Sequence, residues 1–182
     1  MAVTNPIEKL IECHDHILTQ LSLFNQSLNA IEQQGMVGFL SERENMKKTF
    51  EFIDTSIVLH TRDEEEGLFP KLRPKLEAEL PGGGGGKTPV DIMESEHRIV
   101  EEVISRVKSL ASMIEKNPHE SETALLLDEF LQKGRWIVQA YQGHIWKENN
   151  VLFPMAERLL SGEDKDQVAG VMNNNRNLMA QT

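Results

Sequence analysis

The stretch HTRDEEEGLFP, residues 60–70, is matched later in the chain by HIWKENNVLFP, residues 144–154. Each stretch has a histidine, a glutamate four residues further on, and then Leu-Phe-Pro. Residues four apart lie on the same face of an α-helix, so each stretch places an imidazole beside a carboxylate. Proline removes a helical hydrogen bond, and we therefore predict that the two helices end shortly before Pro70 and Pro154. The doubling predicts an internal repeat.

The composition is typical of a globular protein with one core. The chain has 182 residues, of which 39% are hydrophobic and 26% are charged, and this length favours a single domain. No apolar run approaches the roughly 20 residues of a membrane helix, and the opening MAVTNPIEKL lacks the features of an export signal. Together with a single cysteine, Cys13, this predicts a soluble, cytoplasmic protein without a membrane partner. The net charge of -10 disfavours nucleic acid as a partner.

Four segments carry the signals that begin helices. NPIE at Asn5, TPVD at Thr88 and NPHE at Asn117 each combine a capping residue, a proline and an acid, and SERE at Ser41 is a capping box without proline. We predict helices over about residues 6–33, 42–67, 89–116 and 118–150. Strands are not expected, because no stretch alternates convincingly between apolar and polar residues.

The repeat also predicts how these helices are arranged. Pro70 and Pro154 stand at equivalent places, and the run Gly82–Gly86 is typical of a flexible hinge between two helix pairs. A pair of helical hairpins closes into an up-down-up-down four-helix bundle, so the expected fold class is all-α. We assign residues 1–160 to this bundle. Residues 161–182 are predicted to be a tail with a short extra helix and a frayed NNNRN end, and we assign it no chemistry.

The apolar face of each predicted helix contains a histidine. Each residue advances about 100° around a helix, so the spacing shows which residues share a face. In the first helix, His14 lies within the apolar stripe Ile7, Leu10, Ile11, Leu18, Leu21 and Leu28. The other three stripes contain His60 with Glu64, then His97, then His144 with Glu148.

Six such polar groups in one core predict a bound cation. Burying an ionised carboxylate without a partner costs several kcal/mol, whereas a whole domain is stable by only about 5–15 kcal/mol. A metal ion compensates, because it coordinates the lone pairs and neutralises the negative charge. The nitrogen and oxygen donors favour two iron ions, with manganese or zinc as second choices, whereas a structural zinc site would favour cysteine ligands.

Each of these features has a simpler interpretation when it is taken alone. A His-Glu pair four residues apart is common on solvated helix faces, and a single core histidine usually bonds a carbonyl group. Four inward histidines combined with two glutamates favour the metal site. We exclude His16, which is predicted to point outward, and His119, which lies in the capping segment after Pro118.

With these residues the chain resembles the haemerythrin-like (HHE cation-binding) domains. The resemblance covers roughly residues 7–155 and rests on His14 followed by Ile17, Leu18 and Leu21, on His97 in ESEHRIV, and on the two His-x3-Glu-x3-Leu-Phe-Pro motifs. It implies the same bundle fold and a non-haem di-iron centre bridged by Glu64 and Glu148. It further implies that His14 and His60 bind one iron and that His97 and His144 bind the other.

One position departs from the oxygen-carrying members of this family. They place a further histidine one turn before the third-helix histidine, where this chain has Met93, and a thioether is a poor ligand for oxidised iron. With two histidines, two carboxylate oxygens and one bridging oxide or hydroxide, each iron would keep an open position. Small ligands such as dioxygen, peroxide or nitric oxide require such a position.

Three functions follow as hypotheses. The leading one is a non-haem di-iron protein that binds dioxygen, nitric oxide or peroxide as a carrier, store or sensor, with no catalytic residue assigned. The second is a di-iron enzyme in peroxide or nitric oxide detoxification or in iron-sulfur cluster repair, which Met93 favours. The third is a non-catalytic interaction bundle whose buried polar groups fix helix register. A sensor role would require a protein partner, which the sequence does not identify.

Overall fold

The computed structural model describes residues 3, 5–79, 87–116 and 123–181. Within these ranges every regular element is a helix and no β-strand is present, which confirms the predicted all-α bundle class. None of the helices in these ranges has the length and apolar character that crossing a lipid bilayer requires. The glycine run Gly82–Gly86 and the predicted helix start at Asn117 lie outside the described residues.

The helical elements follow one another closely along the chain, and several pass into the next without a break. Three short segments, named π1 to π3, have wider π-helical turns. In chain order the elements are α1 (Pro6–Gln34), α2 (Met36–Ser41), α3 (Arg43–Phe52), π1 (Ile53–Ile57), α4 (Val58–Arg62), π2 (Asp63–Leu68), α5 (Phe69–Glu79), α6 (Pro89–Lys116), α7 (Thr123–Lys147), π3 (Glu148–Leu152), α8 (Phe153–Leu159) and α9 (Gly162–Met179).

Two of the predicted helix caps are confirmed. The Asn5 side chain accepts hydrogen bonds from the N–H groups of Ile7 and Glu8, at 3.2 and 3.3 Å, where α1 begins. At the start of α6, the Thr88 N–H donates to Asp91 Oδ2 at 2.6 Å and the Asp91 N–H donates to Thr88 Oγ1 at 3.3 Å. This reciprocal pair is the capping box that the sequence predicts.

A helix does begin near the predicted residue 42, because α3 starts at Arg43, but the predicted capping box at Ser41 is wrong. Ser41 is the last residue of α2, and its hydroxyl donates to the carbonyl of Gly38 at 2.9 Å. The chain turns earlier, at Gly35, whose φ of 58° lies in the left-handed region that favours glycine. The next helix therefore begins before the SERE segment is reached, and α3 starts after Glu42 without a side-chain cap.

Replacing Gly38 by alanine is expected to destabilise the protein. An added Cβ would lie 2.5 Å from the Ala30 carbonyl oxygen and 2.9 Å from the Ile31 Cα. Both are backbone atoms of α1, so the overpacking should cost about 1–3 kcal/mol. Gly143→Ala is the matched control, because nothing lies within 4 Å of its added Cβ and alanine is the better helix former. Urea unfolding measures both variants, and equal stabilities would contradict the prediction.

The prolines of the repeated motif do not end their helices, contrary to the prediction. Pro70 lies within α5, which continues to Glu79, and Pro154 lies within α8, which continues to Leu159. A proline inside a regular α-helix lacks one hydrogen bond and clashes with the carbonyl four residues earlier. The local helix geometry must therefore differ from a regular α-helix.

A π-helical turn precedes each of these prolines and accounts for their tolerance. The Phe69 N–H bonds to the Glu64 carbonyl, and the Phe153 N–H bonds to the Glu148 carbonyl, five residues back in each case. The wider turn shifts the backbone hydrogen bonding by one residue, so a carbonyl near the proline already lacks its usual N–H partner. The missing N–H of the proline therefore costs little additional hydrogen bonding. Such turns are frequent at functional sites, and here each involves one of the two predicted ligand glutamates.

The chain divides into two compact units. The first consists of Met1–His16, Thr55–His97 and His144–Thr182, and the second consists of Ile17–Asp54 and Arg98–Gly143. The core of the first unit contains Ile7, Leu10, Leu68, Phe69, Leu72, Val90, Met93, Leu152, Phe153, Ala156, Val168 and Met172 among others. In the second unit the Phe130 ring meets the rings of Phe24 and Phe39 edge to face. Every predicted site residue belongs to the first unit.

Helix α1 buries a narrower face than the sequence analysis predicts. Ile11 is 39% exposed, so its assignment to the apolar stripe is wrong. The Ile, Leu, Phe and His side chains of α1 that are at most 2% exposed belong to Ile7, Leu10, His14, Ile17, Leu21, Phe24, Leu28 and Ile31. These alternate in steps of three and four, which defines a narrow seam with neighbouring positions left at its edge. His14 occupies a regular position of this seam.

The C-terminal helix α9 is longer than the predicted tail helix. It begins with a capping box, in which Ser161 and Asp164 each bond the backbone N–H of the other. It continues through the NNNRN sequence to Met179, so the predicted frayed end is wrong. Val168, Met172 and Asn175 are buried, and this packing explains why the helix persists through residues of low helix propensity.

Candidate metal centre

Four histidines of the first unit face one another in two pairs. The Nε2 atoms of His14 and His60 are 3.0 Å apart, and those of His97 and His144 are also 3.0 Å apart. Only one proton fits between two nitrogens at this distance, so at least one nitrogen of each pair presents a lone pair toward the other. Two nitrogens bound at about 2.1 Å to one cation, at a right angle, would lie about 3 Å apart. The spacing therefore suits a shared cation.

Two glutamates lie between the histidine pairs and face both of them. Glu64 has Oε1 at 3.4 Å from His60 Nε2 and Oε2 at 3.5 Å from His97 Nε2. Glu148 has Oε2 at 3.1 Å from His14 Nε2 and Oε1 at 3.2 Å from His144 Nε2. Each carboxylate thus presents one oxygen to each histidine pair, which is the arrangement of a ligand shared by two cations.

The side chains form two overlapping groups that could each hold a metal ion. The first contains His14 and His60, the second contains His97 and His144, and both contain Glu64 and Glu148. Within each group the ligand atoms lie within 4.8 Å of one another. The structure therefore brings together all six residues that the sequence analysis selects.

Burial controls the protonation of these groups. Glu64 and Glu148 are 0% exposed, and none of their oxygens has a well-formed hydrogen bond to a described residue. Burial raises the pKa of Glu64 well above its usual range, and the adjacent Glu148 adds to the rise. For Glu148, burial acts in the same direction, but the imidazoles of His14 and His144 outweigh it and hold its pKa well below the usual range. A bound cation would neutralise both carboxylates and remove the cost of ionising Glu64 beside Glu148.

Burial also keeps His60 neutral. Together with the neighbouring His14, it lowers the pKa of His60 to about 3. A neutral imidazole has a free lone pair for a metal ion, whereas an imidazolium has none. His60 is therefore ready to bind a cation throughout the neutral pH range.

Comparison with known proteins agrees with this geometry. Residues 5–156 match the family described as hemerythrin HHE cation binding domain, and residues 88–176 give a second, overlapping match. The chain belongs to this family. It is also similar to the iron-sulfur cluster repair protein YtfE of Cronobacter sakazakii (strain ATCC BAA-894), with 27% identity over 120 residues, which are 66% of this chain and 49% of that protein. The chain thus spans about half the length of this curated relative.

The phenylalanines of the repeated motif pack on two of the clustered histidines of this haemerythrin-family chain. Phe153 stacks on His14, with ring centroids 5.3 Å apart and an interplanar angle of 7°. Phe69 stacks on His97, at 5.9 Å and 14°. In both cases the motif of one half supports a histidine of the other half. The Leu-Phe-Pro pattern by itself indicates only a helix terminator, and no local sequence signal reveals this stacking.

Three side chains outside the ligand set orient the histidines. His14 Nδ1 lies 2.8 Å from Asn149 Oδ1, His97 Nδ1 lies 2.9 Å from Glu65 Oε1, and His144 Nδ1 lies 2.9 Å from Glu96 Oε2. These oxygens can only accept, so each Nδ1 carries a proton, and in the neutral ring the Nε2 lone pair is then directed inward. Sequence reasoning misses all three partners, although Glu65 and Asn149 each directly follow a ligand glutamate.

A buried ion pair connects π2 with the C-terminal helix. Asp63, which directly precedes Glu64, lies 2.9 Å from Arg176 Nη1 and accepts a hydrogen bond from Asn175 Nδ2 at 3.2 Å. Burial raises the pKa of the Asp63 carboxyl, and Arg176 opposes that rise. Arg176 also donates to the Met172 carbonyl at 2.7 Å. The tail that was assigned no chemistry therefore holds the segment that carries a predicted metal ligand.

The remaining candidate residues lie as follows. His16 is exposed, as predicted, and His119 lies outside the described residues. Met93 is 3% exposed and belongs to the core of the first unit. It lies one helical turn before His97 on α6, where the oxygen-carrying relatives have a further histidine.

Proposed function

We propose that this haemerythrin-family protein binds a pair of iron ions and, at that pair, dioxygen or a related small ligand, as a carrier, store or sensor. His14 and His60 would hold one ion, and His97 and His144 would hold the other. The observation that carries the proposal is that Glu64 and Glu148 each direct one oxygen to each histidine pair.

The donor set supports iron as the metal. Imidazole nitrogen with carboxylate oxygen suits mid-row transition metals, and no cysteine is among the clustered side chains. When bound, an iron pair supplies reversible oxidation and open positions for dioxygen, nitric oxide or peroxide. Manganese and zinc are the second choices for the same donors.

The chain's own residues would hold and shield the pair. Oxygen atoms on Asn149, Glu65 and Glu96 keep three imidazoles in the tautomer that directs Nε2 inward. Phe69 and Phe153, which are at most 1% exposed, cover one imidazole each and limit the access of water. A dry, apolar surround slows the loss of a bound small ligand by protonation.

Metal analysis with visible spectroscopy tests this proposal. Protein loaded anaerobically with ferrous iron is expected to retain two iron atoms per chain and to develop a charge-transfer absorption on exposure to air or nitric oxide. Two retained irons without any ligand-dependent absorption would contradict small-ligand binding. A chain that retains no iron would contradict the metal site and favour the interaction bundle.

A di-iron enzyme is the second candidate function. Two observations favour it: Met93 occupies the place of a further histidine, and the chain is similar to a protein named for iron-sulfur cluster repair. Peroxide or nitric oxide turnover by iron-loaded protein, compared with a Glu64→Ala variant and with free iron, would measure catalysis. A rate no higher than that of free iron would reject this candidate and leave the carrier, store or sensor.

A further inference from the structure

The two halves of the candidate centre have the same ligands but different partners behind them. Each half of the sequence repeat supplies two histidines and one glutamate at equivalent places. They are His14, His60 and Glu64 in the first half, and His97, His144 and Glu148 in the second. The residue that follows the glutamate is Glu65 in the first half and Asn149 in the second. The residue that precedes the first histidine is Cys13 in the first half and Glu96 in the second.

These differences fall on one histidine pair, because the partners act across the repeat. Glu65 accepts from His97 and Glu96 accepts from His144, both at 2.9 Å. Carboxylates therefore stand behind both histidines of the second pair.

The other histidine pair has weaker support. His14 has the neutral amide oxygen of Asn149 at 2.8 Å. The buried Nδ1 atom of His60 has no hydrogen-bond partner among the described residues. At the place equivalent to Glu96 this half has Cys13, whose side chain makes no hydrogen bond to His60 in the described part of the chain.

A carboxylate behind a metal-binding imidazole strengthens that imidazole as a donor. The Nδ1 proton is partly shared with the carboxylate, and this raises the electron density and the basicity of the opposite nitrogen, Nε2. Replacing such a partner commonly weakens metal binding by about 10–100-fold. A neutral amide has a smaller effect, and a missing partner has none.

We propose that the two cation positions are unequal, and that the position at His97 and His144 binds a divalent cation more tightly and fills first. This inference rests on the proposed two-metal site. The position at His14 and His60 is then the exchangeable one. A single equivalent of metal would therefore occupy the position at His97 and His144.

Other charges near the centre reduce the inequality without removing it. Lys147 pairs with Glu96 Oε1 and leaves Oε2 for His144. The Glu65 side chain is 41% exposed, so solvent screens part of its charge. Asp63 is paired with Arg176 and adds little net charge to either position. We therefore expect a preference at the low end of the range, about 10-fold.

A zinc titration followed by histidine NMR tests the order of filling. Zinc has no redox chemistry and is diamagnetic, so multiple-bond proton-nitrogen spectra of metal-free, nitrogen-15-labelled protein report each Nε2 separately. The first equivalent of zinc is expected to shift His97 and His144, and the second to shift His14 and His60. Parallel shifts in all four, or the opposite order, would overturn the inference while leaving the two-metal site intact. If zinc shifts no histidine, the proposed metal site and this inference both fail.

Charge-matched variants identify the cause of the order. Glu65→Gln combined with Glu96→Gln should weaken the His97 and His144 position by about 10-fold or more and abolish the order. Glu66→Gln is the control, because its carboxylate pairs with Arg62 at 3.6 Å and should leave the order unchanged. Asn149→Asp should strengthen the His14 and His60 position. An order that persists unchanged in the double variant and in Asn149→Asp would overturn the inference.

Discussion

Glu64→Gln is expected to weaken cation binding at both positions at once. Its two carboxylate oxygens face different histidine pairs, at 3.4 Å from His60 and 3.5 Å from His97. Loss of a direct ligand should exceed the about 10–100-fold effect of an outer partner, so iron content should fall from two atoms to fewer than one per chain. Elemental analysis after dialysis, with chelator competition for the residual affinity, measures the effect.

The same substitution should change the metal-free protein very little. Burial raises the pKa of Glu64 well above its usual range, which favours the neutral carboxyl in the absence of a cation, and glutamine has nearly the same shape as that form. The free energy of unfolding should therefore differ only when metal is present, because a ligand stabilises the native state by mass action.

Two variants act as controls for Glu64→Gln. Glu66→Gln removes the same charge from a side chain that is 56% exposed and pairs with Arg62, and it should retain both ions. His60→Ala removes a ligand that belongs to only one histidine pair, and it should retain one ion. Retention of one full ion by Glu64→Gln would show that Glu64 serves a single position and would contradict the shared-ligand arrangement.

Removal of residues 162–182 is expected to remove most of the free energy that stabilises the first unit against unfolding. Val168 and Met172 are 0% exposed and belong to the same core as Leu68, Phe69 and Leu72. Truncating one buried methionine side chain to alanine typically costs about 2–5 kcal/mol. Loss of the whole helix removes several such side chains and exposes the core residues that they cover.

The truncation also removes both partners of a carboxylate that is buried in the intact protein. Asp63 is 0% exposed and loses both Arg176 and Asn175. Because removal of α9 also admits water to this carboxylate, the lost ion pair adds less than the about 3–5 kcal/mol of a pair whose remaining charge stays buried. The lost packing is the larger contribution and approaches the about 5–15 kcal/mol that stabilises a whole domain, so a large fall in the thermal unfolding midpoint is expected.

Smaller changes separate the two contributions to the truncation. Arg176→Met removes only the charged partner of Asp63 and should cost about 3 kcal/mol, whereas Met172→Ala removes only packing. A chain that ends at Met179 is the control and should unfold like the full chain. Unfolding curves from circular dichroism compare the variants. A truncated chain that unfolds at the same temperature as the full one would mean that α9 is a dispensable appendage.

Much of the candidate centre could be predicted because helical periodicity is a local property. The spacing of His60 and Glu64, and of His144 and Glu148, places each pair on one face whatever the rest of the chain does. The side-chain caps at Asn5 and Thr88 are equally local, since each bonds residues within three positions. The role of the four histidines and two glutamates as metal ligands stays a prediction, but the structure brings these six side chains together.

Other features depended on contacts that periodicity does not encode. Ser41 does not cap α3, because the turn at Gly35 begins a separate short helix that ends at Ser41, and Ile11 lies beside the buried seam of α1. Pro70 and Pro154 were tolerated because wider turns precede them. A proline that would normally end a helix is therefore compatible with a continuous helix when the preceding turn is π-helical.

The sequence by itself determined the helical class and the face of each helix on which the histidines and glutamates lie, because both follow from residue spacing along one chain. Only the tertiary structure decided which oxygen faces which nitrogen, that Glu65, Glu96 and Asn149 stand behind three of the histidines, and that α9 holds Asp63. These contacts join residues far apart in the chain, and their geometry arises only when several helices pack together.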